Sequence, residues 1–273
     1  MNIWQSSFVD VNGLKAHYTR AGRRDKPALV LAHGFSDDGL CWTPVAEALQ
    51  ADYDIIMVDA RGHGKSEGPE QGYGSAEQAG DLAGAIRALG LRQPAVLGHS
   101  MGAMTALALA GLYPDVPSMI LLEDPPPLWS SGFAFSLPDR RSSLGQWIIA
   151  MKRLTREELI AHCQAQSPTW SEAELGPWAD SKLRFSFNAL NQEGSMRLDW
   201  EAVISSIRCP ALLITADPER GALVTPESAA ALKTRLPHVH IAHIAGAGHS
   251  IRRDQFARYI EVVRAFLAQT AAE

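Results

Sequence analysis

The chain has 273 residues, 46% of them hydrophobic and 20% charged, which suits one soluble globular domain with room for a full core. Lys plus Arg number 25 against 30 for Asp plus Glu, so the formal charge of −5 leaves no electrostatic footprint for nucleic acid or an anionic membrane. Three scattered cysteines without a C-x-x-C pair, no basic or apolar leader in Met1 to Gln5 and no run of transmembrane length lead to the expectation of a cytoplasmic protein. The elements then follow in order. Asn12-Gly13 tolerates positive φ and stands between Phe8–Val11 and Leu14–Thr19, which predicts an antiparallel hairpin. Leu29–Ala32 and Asp54–Val58 are short apolar runs that read as buried parallel strands, and Thr43-Pro44 opens a crossover helix between them. Ser75 with Gln78 reads as a capping box, after which Ala79, Leu82, Ala83, Ile86 and Leu89 mark one helical face up to Gly90.

Ala95 to Gly98 reads as the next strand, and Met101 to Tyr113 as a helix rich in Ala and Leu that Pro114 stops. Met119–Glu123 is a further strand, and Asp124-Pro125-Pro126-Pro127 cannot continue in a central sheet. From Leu128 to about Trp200 the composition shifts to Trp, Phe, Arg and polar residues, with capping-box patterns at Thr155/Glu158 and Ser171/Glu174, so a helical insertion is expected. The strand pattern returns with Ala211–Thr215, a helix opened by Thr225-Pro226, the strand His240–Ile244 and a last helix carrying Phe256, Tyr259, Ile260, Val263 and Phe266.

Alternating strands and helices imply an α/β fold whose mostly parallel sheet is covered on both faces, with ligands gathered at the carboxyl ends of the strands. Those ends carry His33-Gly34-Phe35, Asp59 to Gly64, Ser100, Glu123-Asp124, Asp217 and, after the last strand, His249. Ser100 sits where a strand turns directly into a helix, flanked at two positions either side by Gly98 and Gly102. Such a turn strains the serine, exposes its hydroxyl and leaves the first helical N–H groups, starting with Met101, free to bind an oxyanion.

On these residues the chain resembles the α/β-hydrolase family from Phe8 to Leu267. His33-Gly34-Phe35 is similar to its first oxyanion loop, and Arg61-Gly62-His63-Gly64-Lys65-Ser66 to its turn after the fourth strand. Gly98-His99-Ser100-Met101-Gly102 resembles its nucleophile elbow and Gly246-Ala247-Gly248-His249 its histidine loop. The resemblance implies an eight-stranded sheet with a helical cap inserted after strand 6: a core at 1–124 and 201–273, and a cap at 125–200. It further implies Ser100 as nucleophile, His249 as general base, and the backbone N–H groups of Phe35 and Met101 as oxyanion hole. His33, His63 and His99 are expected to brace loops, since no metal-ligand spacing links them, and neither metal nor cofactor is expected.

For the acid that orients His249, Asp217 is the first choice because it follows a strand at the right end of the sheet and precedes His249 in the chain. The family pattern Gly-x-x-Asp is replaced here by Ala216-Asp217-Pro218-Glu219, which keeps Glu219 in play. Some family members carry the acid after the sixth strand, where Glu123 and Asp124 stand, and Glu123 is the third candidate. A serine rather than an aspartate at the elbow argues against haloalkane dehalogenase and epoxide hydrolase chemistry. The expected activity is hydrolysis of a carboxylic ester or lactone of modest, hydrophobic size by a monomer or homodimer. Carbon–carbon bond hydrolase, cofactor-free haloperoxidase or perhydrolase, and slow-turnover ligand receptor stay open as alternatives. Trp129, Phe133, Phe135, Trp147, Trp170 and Trp178 would line an apolar pocket if they faced the serine, and otherwise form the insertion's own core.

Overall fold

The computed structural model describes residues 4–130, 142–191 and 196–269. Asn12 and Gly13 both take positive φ, at 49° and 75°, so the two-residue turn between β1 (Gln5–Val11) and β2 (Leu14–Ala21) twists with the strands it joins. Then follow β3 (Ala28–Ala32), α1 (Thr43–Leu49), β4 (Asp54–Val58), α2 (Ser75–Ala88), β5 (Ala95–His99), α3 (Met101–Leu112) and β6 (Met119–Glu123). Helices α4 (Ser143–Met151), α5 (Arg156–Gln166) and α6 (Glu172–Arg184) lie between β6 and β7 (Ala211–Thr215), as does the short α7 (Trp200–Ser205). The chain closes with α8 (Pro226–Arg235), β8 (Val239–His243), α9 (Ile251–Asp254) and α10 (Phe256–Gln269).

The eight strands form one sheet in the order β1-β2-β4-β3-β5-β6-β7-β8. The first hairpin pairs antiparallel with β4, and every pair from β4 to β8 is parallel. Strand periodicity divides the core in two. Val30, Ile56, Val96, Ile120, Leu122 and Leu213 face α2 and α3, while Leu31, Ile55, Leu97, Leu121 and Ile214 face α1 and α10. Helix α3 runs with no polar face, buried from Gly102 to Ala110, which is why its sequence is so rich in Ala and Leu. The eight-stranded, mostly parallel α/β architecture is the one expected from the sequence, with helices on both faces.

Two local readings change. Ser75 is the first helical residue rather than a cap, and Gln78 donates to the Tyr73 carbonyl instead of closing a capping box. Thr155 and Glu158 do form a reciprocal capping box, whereas Ser171 makes no side-chain cap and Glu174 turns inward to an arginine. The insertion helices have a small core of their own, in which Met151, Leu159, Cys163, Leu175 and Trp178 pack with Trp147 and Trp170 at its edge. No helix among the described residues is long and apolar enough to cross a membrane.

Candidate active site

Ser100 has φ 51° and ψ −114°, a conformation costly for any residue with a side chain and tolerated only where the surroundings enforce it. What enforces it is the crossing of α3 behind β3 and β5. A Cβ at Gly98 would stand 2.2 Å from the Gly102 carbonyl oxygen, and a Cβ at Gly102 would stand 2.1 Å from that of Ala32. Both glycines are therefore required by contact, and between them the Ser100 side chain is left on the cavity side. The Ser100 N–H donates to the Glu123 carbonyl at 2.9 Å, tying the elbow to the end of β6.

His249 reaches the same cavity from the loop after β8. Its Nδ1–H donates to Asp124 Oδ2 at 2.7 Å, which leaves Nε2 as the nitrogen with a free lone pair. Asp124 is fully buried and its carboxylate also accepts from the N–H groups of Leu223 and Val224, at 2.8 to 3.0 Å. Its own φ is 40°, so the backbone turns sharply as it leaves β6. The His249 loop is held from behind by His99, whose Nε2–H donates to the His249 carbonyl at 2.9 Å.

None of the three carboxylates favoured from the sequence touches His249. Asp217 accepts from His243 at 3.0 Å and from the Gly246 N–H at 2.7 Å, so it fastens the base of the histidine loop rather than the imidazole. Glu219 is exposed on the following turn. Glu123 points to the opposite face of β6, where it accepts from Arg252 and from the Tyr259 hydroxyl. The signal that separates Glu123 from Asp124 is strand alternation. Leu121 and Glu123 share the α10 face, and the residue after them does not.

Ser100 and His249 open onto one cavity of about 280 Å³. Its walls are mostly apolar, with Phe35, Tyr73, Met104, Leu128, Leu144 and Leu223 prominent, and no Lys or Arg among the described residues lines it. Phe35 and Met101 line it too, and among the described residues neither of their N–H groups donates to a protein acceptor. The tryptophans do not supply the walls. Trp129 is buried against α8, donating to the Ser228 carbonyl; Trp147 and Trp178 pack within the insertion; and Trp170 donates to Asp254. Phe133 and Phe135 lie outside the described residues.

The other motif histidines are engaged with loop backbone. His33 Nδ1–H donates to the Gly34 carbonyl and its Nε2 accepts from the Ala60 N–H, while His63 Nδ1–H donates to the Arg61 carbonyl. Burial, reinforced by nearby His33, lowers His63 from 6.5 to about 3, so its imidazole is neutral.

Behind these loops lies a set of buried charges that the sequence did not announce. Asp37, Glu123 and Glu174 are interleaved with Lys182, Arg252 and Arg253, all nearly sealed from solvent. Asp37 meets Lys182 at 2.9 Å, Arg253 at 3.0 Å and Arg252 at 3.4 Å; Arg253 also meets Glu174, and Arg252 meets Glu123. Burial alone would raise the Asp37 carboxyl, but Arg253, Lys182 and Arg252 together hold it well below its ordinary value. The set joins the Phe35 loop, the end of β6, the helix after His249 and insertion helix α6.

Residues 27–252 match the family model described as alpha/beta hydrolase fold. The chain is similar to the N-formylmaleamate deformylase of Pseudomonas putida, 30% identical over 264 residues that cover 95% of both chains. Among solved structures it is similar to the N-formylmaleamic acid deformylase of Pseudomonas putida S16, with a TM-score of 0.78 and 25% identity over 95% of this chain and 100% of that one. It is also similar in fold to the enol-lactonase of Burkholderia xenovorans LB400, with a TM-score of 0.71 and 23% identity over 96% of this chain and 99% of that one.

Proposed function

Since this chain belongs to the alpha/beta-hydrolase family, we propose that it is a serine hydrolase that cleaves a small to medium, uncharged carboxylic ester or lactone through an acyl-enzyme on Ser100. The observation that carries the reading is the hydrogen bond from His249 Nδ1 to buried Asp124 beside the strained Ser100, on one apolar cavity. In this mechanism the Ser100 hydroxyl attacks the substrate carbonyl while His249 Nε2 takes its proton. Asp124, in the role first given to Asp217, holds the imidazole in the required tautomer and stabilises its charged form. The N–H groups of Phe35 and Met101 receive the developing oxyanion. Protonated His249 then hands its proton to the leaving alcohol, and water, activated by the same histidine, releases the acid and restores Ser100. Ser100, His249 and the attacking water account for every proton and electron pair that moves, so the proposed reaction calls for no metal or cofactor. Residues 125–200 are proposed as a cap over the site, the remainder as the core. The enzyme is proposed to work in the cytoplasm as a monomer or homodimer, in keeping with its free, buried cysteines.

Similarity to a deformylase favours a second reading, hydrolysis of an N-acyl bond by the same groups. The cavity lining separates the two, because a carboxylate-bearing substrate would meet no cationic side chain among the described walls. The test is a panel of neutral esters of rising chain length, lactones, N-formyl amides and carboxylate-bearing analogues, with Ser100→Ala as control. Turnover of neutral esters or lactones that disappears in Ser100→Ala is expected. Equal turnover by Ser100→Ala sinks the serine mechanism, and a preference for N-formyl amides selects the second reading.

A further inference from the structure

We propose that Lys182, on insertion helix α6, is a positioning residue for the oxyanion side of the reaction: it locks the strained turn that carries the Phe35 N–H. The proposal rests on the serine-hydrolase reading and adds to it a residue that acts from the insertion, outside the four catalytic motifs. The turn is Gly34-Phe35-Ser36-Asp37, closed by the Asp37 N–H donating to the Gly34 carbonyl at 3.1 Å. Its third residue, Ser36, has φ 66°, a left-handed value that this position of the turn requires and that glycine normally supplies. A serine held there relaxes unless its surroundings over-determine it.

Arg252 and Arg253 hold the Asp37 carboxylate, and one further side chain ties that carboxylate to Ser36. Lys182 Nζ donates to the Ser36 carbonyl at 2.9 Å and to the Asp37 carboxylate at 2.9 Å. Among the described residues no other side chain grips both. The ammonium is itself fixed, by the Ser181 hydroxyl at 3.1 Å and by the Trp178 ring 4.9 Å away. Lys182 is 1% exposed, and stripping water from an ammonium costs about what its pairing returns, so an apolar pair of similar size in place of Lys182 and Asp37 together would hold α6 in place as firmly. What the lysine adds is direction. Three hydrogen-bond donors on one point charge pin the turn's third carbonyl and its closing residue at once, and Phe35 lies between that pin and the cavity.

The experiment uses the full chain with two probes, p-nitrophenyl butyrate for turnover and a fluorophosphonate that labels the active serine. Lys182→Met is expected to lower kcat roughly 10- to 100-fold, less than the 10²–10³ typical of deleting an oxyanion donor outright. KM should stay within about threefold, and labelling of Ser100 should slow by the same factor as kcat. Adding Ser36→Gly should then restore most of the lost rate, because glycine takes the positive φ without help. A lysine with a merely structural role would lower the melting temperature without that rescue. Should Lys182→Met fail to fold, Asp37→Asn/Lys182→Met removes one charge of each sign and is expected to show the same loss of kcat and labelling. Folded Lys182→Met with kcat and labelling within threefold of wild type, or no recovery with Ser36→Gly, overturns the proposal. Wild-type chain that neither turns over the ester nor takes the label at Ser100 overturns the serine-hydrolase reading, and the proposal with it.

Discussion

His249 donates to Asp124 at 2.7 Å across 125 positions of sequence, and Asp124 gives its remaining lone pairs to Leu223 and Val224. Asp124 is thus pinned by the loop after β7 while it holds the imidazole delivered by the loop after β8. In the proposed mechanism a carboxylate so engaged stays in place between turnovers and keeps the imidazole in one tautomer.

Asp124→Asn is expected to lower kcat by about 10⁴, because the amide supports the wrong tautomer and cannot stabilise the imidazolium. Asp217→Asn should stay within roughly tenfold of wild type, because the contacts it weakens are to His243, the Gly246 N–H and Arg220 and not to His249. Steady-state kinetics on one neutral ester decide the order; a dead Asp217→Asn beside an active Asp124→Asn would reverse the assignment.

Glu123→Gln separates a stabilising carboxylate from a catalytic one. Removing the charge leaves buried Arg252 short of a partner, so stability should fall by about 3–5 kcal/mol in urea denaturation. Activity per folded molecule should remain within about tenfold, since Glu123 does not touch His249.

The fold was legible in the sequence because its signals are local and repeated: apolar runs of strand length, helix starts and stops, and glycines at the elbow. That Ser100 and His249 would meet at one end of the sheet was legible for the same reason. The carboxylate that meets His249 was not, because Asp124 and Asp217 both follow parallel strands and only the side-chain alternation of β6 and the path of the loop after β7 tell them apart. The cavity walls escaped as well. Trp178 sits in the insertion's interior with Trp147 and Trp170 at its edge, while the walls come from single residues of several loops and of helices α2, α3 and α4 that carry no common pattern.

Gly102→Ala is expected to destabilise the chain by about 3 kcal/mol or more, at the upper end of overpacking, because the added methyl would overlap the Ala32 and His33 carbonyls. Urea denaturation measures it. A change below about 1 kcal/mol would mean that α3 and β3 are not as close as described.

The neutral His63 sets a pH response. Its folded value of about 3 lies below its ordinary 6.5, so between those limits the unfolded chain binds a proton that the folded chain refuses. The His63 contribution to stability is therefore fully present above 6.5 and is lost as pH falls towards 3, and His99, also held low by burial and Arg252, adds in the same sense. His63→Leu should flatten the decline of urea stability across that range by about one proton's worth of slope.

Leu144→Arg tests the uncharged character of the cavity. A guanidinium at that wall should improve kcat/KM for a carboxylate-bearing ester over its neutral counterpart by roughly fivefold, about 1 kcal/mol. No change in that ratio would mean that the acyl group lies elsewhere.

The buried charge set also bears on the order of assembly. Its members divide into Lys182 and Glu174 from the insertion and Asp37, Glu123, Arg252 and Arg253 from the sheet unit, and each share is neutral by itself. Strand β7 pairs directly with β6, so the whole insertion has to be synthesised, and looped out, before the sheet can close. With neither share carrying excess charge, the sheet can finish around Arg252 and Arg253 while the insertion is still undocked. Docking the insertion then joins two electrically balanced surfaces, and it is this contact that adds the Lys182 hydrogen bonds to the Phe35 turn.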